Sequence, residues 1–592
     1  RRSSDLQITG SGALKDYSTD STPWASHSDK ITDVTVGSGI TKLTNGAFSG
    51  LTKLKSVDVP ENDMEIEDAA FPDKAFVLYG YSNHASGRYA ETHSKVQLKL
   101  KSLRILCMGN SHTGDYTQYL QNALNDMKKA GVETNITYTL SPSAGGRQLY
   151  YWPKQNLSPE ERKAQDDRGS HYWSAKDPDA DVTYLTYDKY QNTFKSTWDL
   201  IVVQDFHEST AKDEGTYPGG AKYATAMQEV VKWLNDKAPG AKIAWFADWA
   251  EKASNSGDLD ASYANSVAAM NAIEALKENK PDYIIPASTV LQNARTSYLG
   301  TVHNPSNVLL NNKKSDGKYV FSDCAVDNMQ AYTVLERDAT HMSLELGRQL
   351  MATAFVYNLL QDYDQQIITP EGFDLFAALK TQPEYKNGNC YWLGEMTADN
   401  WAIIKEACVN AYSASRTVTN SNHTTDPFDS KYANVKAIIA GVTLPESLSQ
   451  DALEAAFKSD AVVNALNAID GISVTKDSIS VTYQAAVNGT EENPAGKDGR
   501  LMVTVDCHYG YTYPTEPALN MILRANMEPG AEAALKELKR TAINKLNSYM
   551  HDDSYAGIYQ ERVKTAKNNG IATITAAASE GEVTAALLAA EG

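Results

Sequence analysis

The apolar positions between residues 99 and 415 form short strand-like runs that alternate with longer helix-like stretches. The strand-like runs are 103–108, 134–140, 199–204, 242–247 and 283–286. The helix-like stretches are 115–130, 221–236, 261–279, 343–360 and 399–412. Because strands that alternate with helices at this spacing form a parallel sheet covered on both faces, the pattern predicts a three-layer α/β/α domain. The unbroken run Leu200-Ile201-Val202-Val203 fits a central strand, which is buried on both sides.

A short internal repeat precedes this region. Val34-Thr35-Val36 recurs as Val57-Asp58-Val59, and Ala47-Phe48 recurs as Ala70-Phe71, both after 23 residues. This period is typical of leucine-rich repeats, and the segment resembles the BspA type of that repeat. Each unit is predicted to place one short strand on a concave face and the Ala-Phe pair in the core. Two units are too few for a broad binding surface, so residues 1–98 are predicted to be a short cap on the next domain or, alternatively, a glycan-binding or adhesin segment.

The sequence changes character after the α/β domain, which is predicted to span residues 99–415. Residues 416–430 are rich in Ser, Thr and Asn and are predicted to be a linker. Residues 431–528 combine helix-like and strand-like stretches, which predicts a small α+β module. From 529 to 592 the apolar residues recur at helical spacing, which predicts a small helical module that resembles the spacers of secreted multidomain bacterial proteins.

The composition narrows the functional classes. The chain has 592 residues and a formal net charge of −19, so nucleic-acid phosphates and anionic membrane surfaces would repel it. No run approaches 18 apolar residues, so no membrane insertion is expected. The chain starts at Arg1 without methionine, as expected of a processed or trimmed chain from which a signal peptide or wall anchor could have been removed. The five cysteines form no disulfide framework, a Cys390–Cys408 pair stays open, and no His/Cys spacing suggests zinc.

Two short motifs carry the candidate chemistry. Gly109-Asn110-Ser111 follows an apolar run and precedes a helix-like stretch, so the turn would lift the Ser111 hydroxyl to the C-terminal edge of the sheet. Asp338 and His341 lie three residues apart, just before another helix. A serine hydroxyl is inert at neutral pH until a base takes its proton, so the motifs predict Ser111 as nucleophile, His341 as general base and Asp338 as the residue that orients the histidine. The alternative is that Ser111 and Asp338 only cap helices and that His341 is an exposed histidine at a helix start.

These residues resemble the first and last sequence blocks of the SGNH (GDSL-like) hydrolase superfamily, and the resemblance covers roughly residues 99–415. It implies an SGNH-like α/β/α fold and a serine esterase activity. It also implies that the oxyanion is held by the backbone N–H of Ser111, by a backbone N–H of Gly145 or Gly146, and by the side-chain amide of Gln204. The commonest family pattern has an asparagine after a glycine, and Gln204 departs from it with the same amide on a longer side chain.

Three residues near these motifs are predicted to contact the substrate. His112 follows Ser111, and Arg147 follows the Gly145-Gly146 pair as a possible contact for an anionic substrate. Trp249 comes just after the 242–247 run, at the same sheet edge. The predicted function is a serine esterase that removes O-acyl groups, especially acetyl groups, from carbohydrate without a metal or cofactor. The alternatives are an acylhydrolase of lipids or other small esters, and a non-catalytic surface adhesin or glycan-binding scaffold.

The expected setting of the protein follows from the same resemblance. A secreted or cell-surface bacterial protein is expected, with an acylated glycan or a small ester as its substrate. A surface glycan or a protein is the expected partner of the terminal modules, and no nucleic acid is expected to bind.

Overall fold

The computed structural model describes residues 4–18, 20–62, 64–141, 193–205, 220–249, 259–300, 335–336, 341–343, 346–379, 397–507, 517–528, 530–549 and 557–591. The chain divides into two compact units, Arg1–Thr425 and Asp426–Gly592. The finer boundaries predicted at residues 98, 415, 430 and 528 stay predictions within this coarser division.

The first unit begins with a stack of short parallel strands in two sheets. One sheet has the order β1-β3-β5-β7-β8 and the other the order β2-β4-β6. The elements are β1 (Asp5–Ile8), β2 (Gly12–Ala13), β3 (Asp33–Val36), β4 (Ile40–Leu43), β5 (Ser56–Asp58), β6 (Glu65–Ile66), β7 (Phe76–Gly80), α1 (Ala85–Thr92) and β8 (Val96–Leu100). Asp33 pairs with Ser56 and Lys42 pairs with Glu65, so neighbouring strands are in register at the predicted offset of 23 residues.

The repeated Ala-Phe pairs lie in the core of this strand stack. Ala47, Phe48, Ala70 and Phe71 are all buried, as predicted. The rings of Trp24, Phe48 and Phe71 stack in a row with neighbouring centroids 5.4 Å apart. Offset stacking of this kind adds to the hydrophobic burial of the rings, so each turn of chain is stabilised by the next. Membership of the leucine-rich repeat class stays a prediction.

A single residue, Lys101, joins the strand stack to the next sheet. β8 ends at Leu100, and β9 (Ser102–Met108) begins the second sheet. The buried Asp199 carboxylate holds this joint, because it accepts hydrogen bonds from Ser82 Oγ at 2.9 Å and from the backbone N–H and Nε of Arg104 at 2.8 and 3.2 Å. The strand stack therefore packs directly on the domain that follows it.

The second sheet is parallel and has the strand order β10-β9-β11-β12-β13. Its further strands are β10 (Asn135–Leu140), β11 (Leu200–Asp205), β12 (Lys242–Ala247) and β13 (Tyr283–Ile285). All of the predicted strands are confirmed, and their observed ends differ from the predicted ends by at most one residue. The helices around this sheet are α2 (Ser111–Thr117), α3 (Leu120–Lys129), α4 (Gly220–Lys237), α5 (Leu259–Glu274), α6 (Ala287–Arg295), α7 (Leu346–Asp362), α8 (Leu375–Ala378) and α9 (Ala398–Ser413).

The two faces of the parallel sheet pack against different helices. On one face Val203 and Trp245 belong to the core that α4 and α5 cover. On the other face Tyr116 of α2 stacks between Phe246 of β12 and Phe355 of α7, at centroid distances of 4.2 and 5.5 Å. The described part of this domain is therefore a mixed α/β fold with a parallel sheet and helices on both faces.

The predicted and observed helices differ in several places, and α5, for example, ends at Glu274 rather than at residue 279. The stretch predicted as one helix over 115–130 is two helices, and α2 begins earlier, at Ser111. Helix α6 was not predicted at all. The first turn of α2 is polar, so no apolar stripe marks the start of that helix. Helix α6 does carry apolar residues at helical spacing, at Ala287, Val290, Leu291 and Ala294, but the pattern covers only nine residues and was missed.

The residues predicted as a linker fall on both sides of the boundary between the units. The first part is hydrogen-bonded to the first unit, since Thr419 N–H donates to Asn293 Oδ1 at 2.8 Å and Ser421 N–H donates to Thr296 Oγ1 at 2.7 Å. Residues 427–430 are helical, because α10 (Pro427–Ala440) begins directly after its cap, Asp426.

The second unit contains an antiparallel sheet and two hydrophobic cores. The sheet has the order β14-β15-β16 and shares the first core with α10, α11 and α12, while α13, α14 and α15 share the second core. The elements are α11 (Gln450–Phe457), α12 (Asp460–Asn467), β14 (Ile479–Gln484), β15 (Gly499–Val505), β16 (Leu519–Leu523), α13 (Ala531–Tyr549), α14 (Gly557–Ala576) and α15 (Glu580–Glu591). Strands and helices are thus mixed before residue 529, and the described elements after it are helical.

Candidate active site

The turn between β9 and α2 presents Ser111 at the C-terminal edge of the parallel sheet. β9 ends at Met108, and Asn110 is the extended N-cap of α2, with its Oδ1 accepting the His112 N–H at 3.0 Å. Ser111 is the first residue of α2, and its side chain is exposed. The first backbone N–H groups of a helix have no partner within it and create a positive potential at that end. The turn therefore places the Ser111 hydroxyl where a developing anion is favoured.

Gly109 is required at this turn because other atoms occupy the space of a side chain. A Cβ on Gly109 would lie 2.2 Å from Thr113 Oγ1 and 2.6 Å from Gln204 Oε1. The same Gln204 Oε1 accepts the Asn110 N–H at 3.2 Å and the Thr113 hydroxyl at 2.9 Å. These hydrogen bonds hold the turn between β9 and α2 against the end of β11.

His341 is brought to Ser111 from a distant part of the chain. Its Nε2 lies 3.0 Å from Ser111 Oγ, which is hydrogen-bond distance. The loop that carries His341 is held by an antiparallel bridge between Glu336 and Met342 and by the Ser343 N–H, which donates to Leu335 O at 2.8 Å. The structure thus brings together the predicted nucleophile and the predicted base.

Several predicted site residues lie outside the described ranges. These residues are Asp338, the predicted orienter, Gly145 and Gly146, the predicted oxyanion donors, and Arg147, the predicted substrate contact. Their roles stay predictions.

A buried polar network lies behind the Ser111–His341 pair. The Asp248 carboxylate, at the end of β12, accepts the His112 Nδ1–H at 2.7 Å and the Gln204 Nε2–H at 3.0 Å through the same oxygen. The His112 ring stacks on Trp249 at a centroid distance of 4.5 Å and meets the His341 ring edge to face at 5.0 Å. Buried carboxylates hold a fixed geometry when hydrogen-bond donors satisfy them, so Asp248 fixes the orientation of both neighbours.

The network contains three residues for which the sequence predicts a role at the site. His112, Trp249 and Gln204 are completely buried, so all three belong to the packed interior beside the Ser111–His341 pair. Both ends of the Gln204 amide bind protein atoms: its oxygen binds the nucleophile turn and its nitrogen binds Asp248. Contact of His112 or Trp249 with a substrate, and of Gln204 with an oxyanion, stays a prediction.

Asp115 is a site residue that the sequence analysis missed. It lies one helical turn after Ser111 and is fully buried. Its Oδ2 accepts the Met342 N–H at 3.0 Å, and its Oδ1 lies 2.8 Å from both Nε and Nη2 of Arg348. The spacing of Asp115 from Ser111 was visible in the sequence, but the partner more than 220 residues away was not.

Cys107 lies in β9, two residues before Gly109, and its thiol is chemically silent. Burial raises the pKa of its thiol to about 12, so the thiol stays protonated at neutral pH. Thiols react as thiolates, and Cys107 is therefore a buried apolar residue of β9, as predicted. Cys408 is also a free buried thiol, and Cys390, the other residue of the pair that the sequence left open, lies outside the described residues.

Metal-binding clusters and membrane-spanning helices are both absent from the described residues. Within the described ranges, no three His, Cys, Asp or Glu side chains are grouped so that they could bind a metal ion. In the same ranges, no helix has both the length and the apolar character needed to cross a membrane.

Comparisons with known proteins give distant likenesses. No protein-family model matches the sequence, and no curated protein matches it. A DUF4886 family protein from Bacteroides uniformis is similar in structure at 16% identity and a TM-score of 0.34, over 55% of this chain and 100% of that one. A family two carbohydrate esterase from Clostridium thermocellum, in complex with cellohexaose, matches at 12% identity and a TM-score of 0.21, over 44% of this chain and 65% of that one.

A third solved structure, described as a GDSL-like lipase from Parabacteroides merdae, matches at 14% identity and a TM-score of 0.23, over 45% of this chain and 98% of that one. TM-scores below 0.5 are too low to assign this chain to a fold family or to transfer an activity to it.

Proposed function

We propose that this protein is a serine esterase of the SGNH type. The observation that carries the proposal is the 3.0 Å distance between Ser111 Oγ and His341 Nε2, at the N-terminus of a helix that begins at the end of a parallel strand. A hydroxyl and an imidazole in this geometry are the two groups that acyl transfer needs. The exposed side of Ser111 leaves room for an ester carbonyl to approach.

The reaction follows from the positions of these groups. Ser111 Oγ attacks the ester carbonyl while His341 Nε2 takes its proton, and His341 then protonates the departing alkoxide. Water activated by His341 hydrolyses the acyl-enzyme. The N–H of Ser111, at the helix N-terminus, is the oxyanion donor nearest to the reacting carbonyl in this proposal. Gly145 or Gly146 and Gln204 complete the proposed oxyanion site, and Asp338 orients His341.

The proposed substrate class is carbohydrate that carries O-acetyl or other O-acyl groups, in a secreted or surface setting. The grounds are the resemblance of the two motifs to SGNH hydrolases and the repeat of BspA type at the N-terminus, so the substrate is proposed by analogy. In this proposal the repeat stack serves as a rigid extension of the enzyme.

Ester hydrolysis by site variants tests the proposal. Wild-type protein is expected to hydrolyse p-nitrophenyl acetate at about pH 8, where imidazoles act as bases. Ser111→Ala and His341→Ala are each expected to lower kcat by at least about 10³-fold, because each removes one half of the reacting pair. Acetylated xylan and acetylated manno-oligosaccharides, compared with a triacylglycerol emulsion, then separate sugar from lipid substrates.

Cys107→Ala is the matched control, because it removes a thiol from β9, the strand that leads to Ser111, while leaving Ser111 in place. This variant is expected to keep kcat within about 3-fold, since the thiol is buried and protonated. Equal activity of wild type and Ser111→Ala would refute the proposed mechanism.

A further inference from the structure

We propose that Asp115 and Arg348 are positioning residues that set the distance between the nucleophile and its base. This inference rests on the proposed function. Ser111 and Asp115 are on the same short helix, one turn apart, whereas His341 belongs to a loop more than 220 residues further along the chain. A contact between Asp115 and that loop is therefore a direct link between the two reacting side chains.

The first part of the link is a hydrogen bond to the peptide unit that follows His341. Asp115 Oδ2 accepts the Met342 N–H at 3.0 Å, and Met342 is completely buried. A hydrogen bond to a carboxylate is stronger than one between neutral groups, and its directionality restrains the peptide that it holds. Because Met342 adjoins His341, the same bond restrains the backbone that carries the imidazole.

The second part is the ion pair that keeps Asp115 charged. Asp115 is fully buried, and its Oδ1 lies 2.8 Å from both Nε and Nη2 of Arg348, in the first turn of α7. Burying an unpaired carboxylate costs several kcal/mol, so a cation of fixed geometry is needed beside it. The planar guanidinium meets this need with two donors, which an ammonium group cannot do in the same way. The His341 loop also joins α7 a few residues later, so Arg348 restrains the loop from its other end.

The position of this ion pair distinguishes it from ordinary structural pairing. A catalytic hydroxyl and imidazole react only within a narrow range of distances, and a displacement of about 1 Å costs on the order of 100-fold in rate. A carboxylate that touches both the nucleophile helix and the base loop controls that distance. A purely structural pair would change stability without changing the rate of the chemical step.

Asp115→Asn in the full chain is the principal variant, since it preserves shape and removes the charge. Met342 N–H and Arg348 bind different oxygens of Asp115, and in the asparagine variant one of these oxygens becomes an NH2 group, which cannot accept a hydrogen bond. We expect kcat for p-nitrophenyl acetate to fall about 100-fold while KM changes less than about 3-fold. The rate of labelling by a fluorophosphonate, which reports the activation of Ser111 before any deacylation, is expected to fall by the same factor.

Asp199→Asn is the matched control. Asp199 is also a buried carboxylate that accepts a backbone N–H and a guanidinium, here from Arg104, but it lies just before β11, at the opposite edge of the sheet from Ser111. We expect its melting temperature to fall as much as that of Asp115→Asn, with kcat within about 2-fold of wild type. Equal losses of kcat in both variants, or wild-type kcat in Asp115→Asn, would overturn the proposal.

Arg348→Lys and Arg348→Met give a second line of evidence. The lysine keeps the charge and is expected to recover at least about 5-fold of the activity that the methionine variant loses. Identical kcat for these two variants would argue against an electrostatic link.

A crystal structure of Asp115→Asn separates this inference from the proposed function. The proposal requires the Ser111 Oγ to His341 Nε2 distance to lengthen from 3.0 Å to beyond about 3.5 Å, whether or not the wild type hydrolyses esters. An unchanged distance refutes the link. An inactive wild type with a lengthened distance in the variant refutes the esterase assignment alone.

Discussion

There is no room for a side chain at Gly109, and this restriction affects the turn that carries Ser111, two residues later. Gly109→Ala is expected to lower kcat by at least about 10-fold and to destabilise the first unit by about 1–3 kcal/mol, because the new methyl group would overlap Thr113 Oγ1 and the backbone and side chain of Gln204. The overlap can be relieved only by moving the turn that carries Ser111. Esterase kinetics and thermal unfolding measure the two effects.

Gly114→Ala is the control for this substitution, since Gly114 lies in α2, the helix that follows the turn, and a Cβ there would meet nothing within 4 Å. It is expected to keep full activity and to add up to about 1 kcal/mol of stability through its higher helix propensity. The steric explanation is wrong if the two alanine variants behave alike.

The residues of the candidate site divide into those that local sequence reveals and those that only the fold reveals. Ser111 and His341 stand in short motifs whose residue types already state their chemistry. Asp115 and Asp248 do not, because each gains its role from a partner that is remote in sequence. A carboxylate on a helix or at a strand end is ordinary, and no pattern in a single sequence tells which one will be buried beside a cation or an imidazole.

At the scale of elements, α7 carries a carboxylate at its unfavourable end. Asp362 is the last residue of α7, where carbonyl groups already create negative potential, and burial raises the pKa of its carboxyl to about 7. Since the folded-state pKa lies above the unfolded value near 3.8, the folded chain binds more protons between about pH 4 and 7. The contribution of Asp362 to stability is therefore lost as pH rises from about 4 to 7. Above about pH 7 the effect of Asp362 on stability no longer changes with pH.

Asp362→Asn is expected to remove this pH dependence. The melting temperature of the variant should equal that of wild type at pH 4 and should exceed it at pH 8. The corresponding gain in the free energy of unfolding at pH 8 is roughly 1–2 kcal/mol, after allowance for the partial exposure of the carboxyl. Thermal unfolding at pH 4, 6 and 8 measures it. Asp364→Asn, which makes the same substitution at an exposed position two residues away, is the control. A constant difference for Asp362→Asn would show that its charge does not matter.

At the scale of the whole molecule, the reacting pair and the contacts that hold it lie within Arg1–Thr425. A chain that ends at Thr425 is expected to stay folded and to keep kcat within about 3-fold of the full chain. A chain that starts at residue 99 is expected to be much less stable, because Asp199 loses Ser82, the Trp198 carbonyl loses Asn83 and Arg104 loses Glu61. Thermal unfolding and esterase assays of both truncated chains check this, and a stable, active chain from residue 99 would contradict it.

The parallel sheet could be predicted from the sequence because its strands are short, apolar and separated by periodic helices. The 23-residue repeat was equally visible, since identical residue types return at a fixed offset. The start of α2 could not be predicted, because its first turn is polar. Helix α6 was visible in the spacing of Ala287, Val290, Leu291 and Ala294, but the pattern covers only nine residues. The hydrogen bonds of residues 419 and 421 to α6 and the loop after it could not be predicted either. A polar composition does not distinguish a flexible linker from a segment that is hydrogen-bonded to the domain.

The one-residue joint at Lys101 restricts how this protein can change over evolutionary time. Because β8 passes into β9 without a loop, an insertion there would break the pairing of the strand stack or shift the strand that ends at the nucleophile turn. New repeat units can therefore be added by duplication only on the N-terminal side of the stack. The stack can lengthen away from the catalytic pair, but recombination cannot exchange it as a separate cassette.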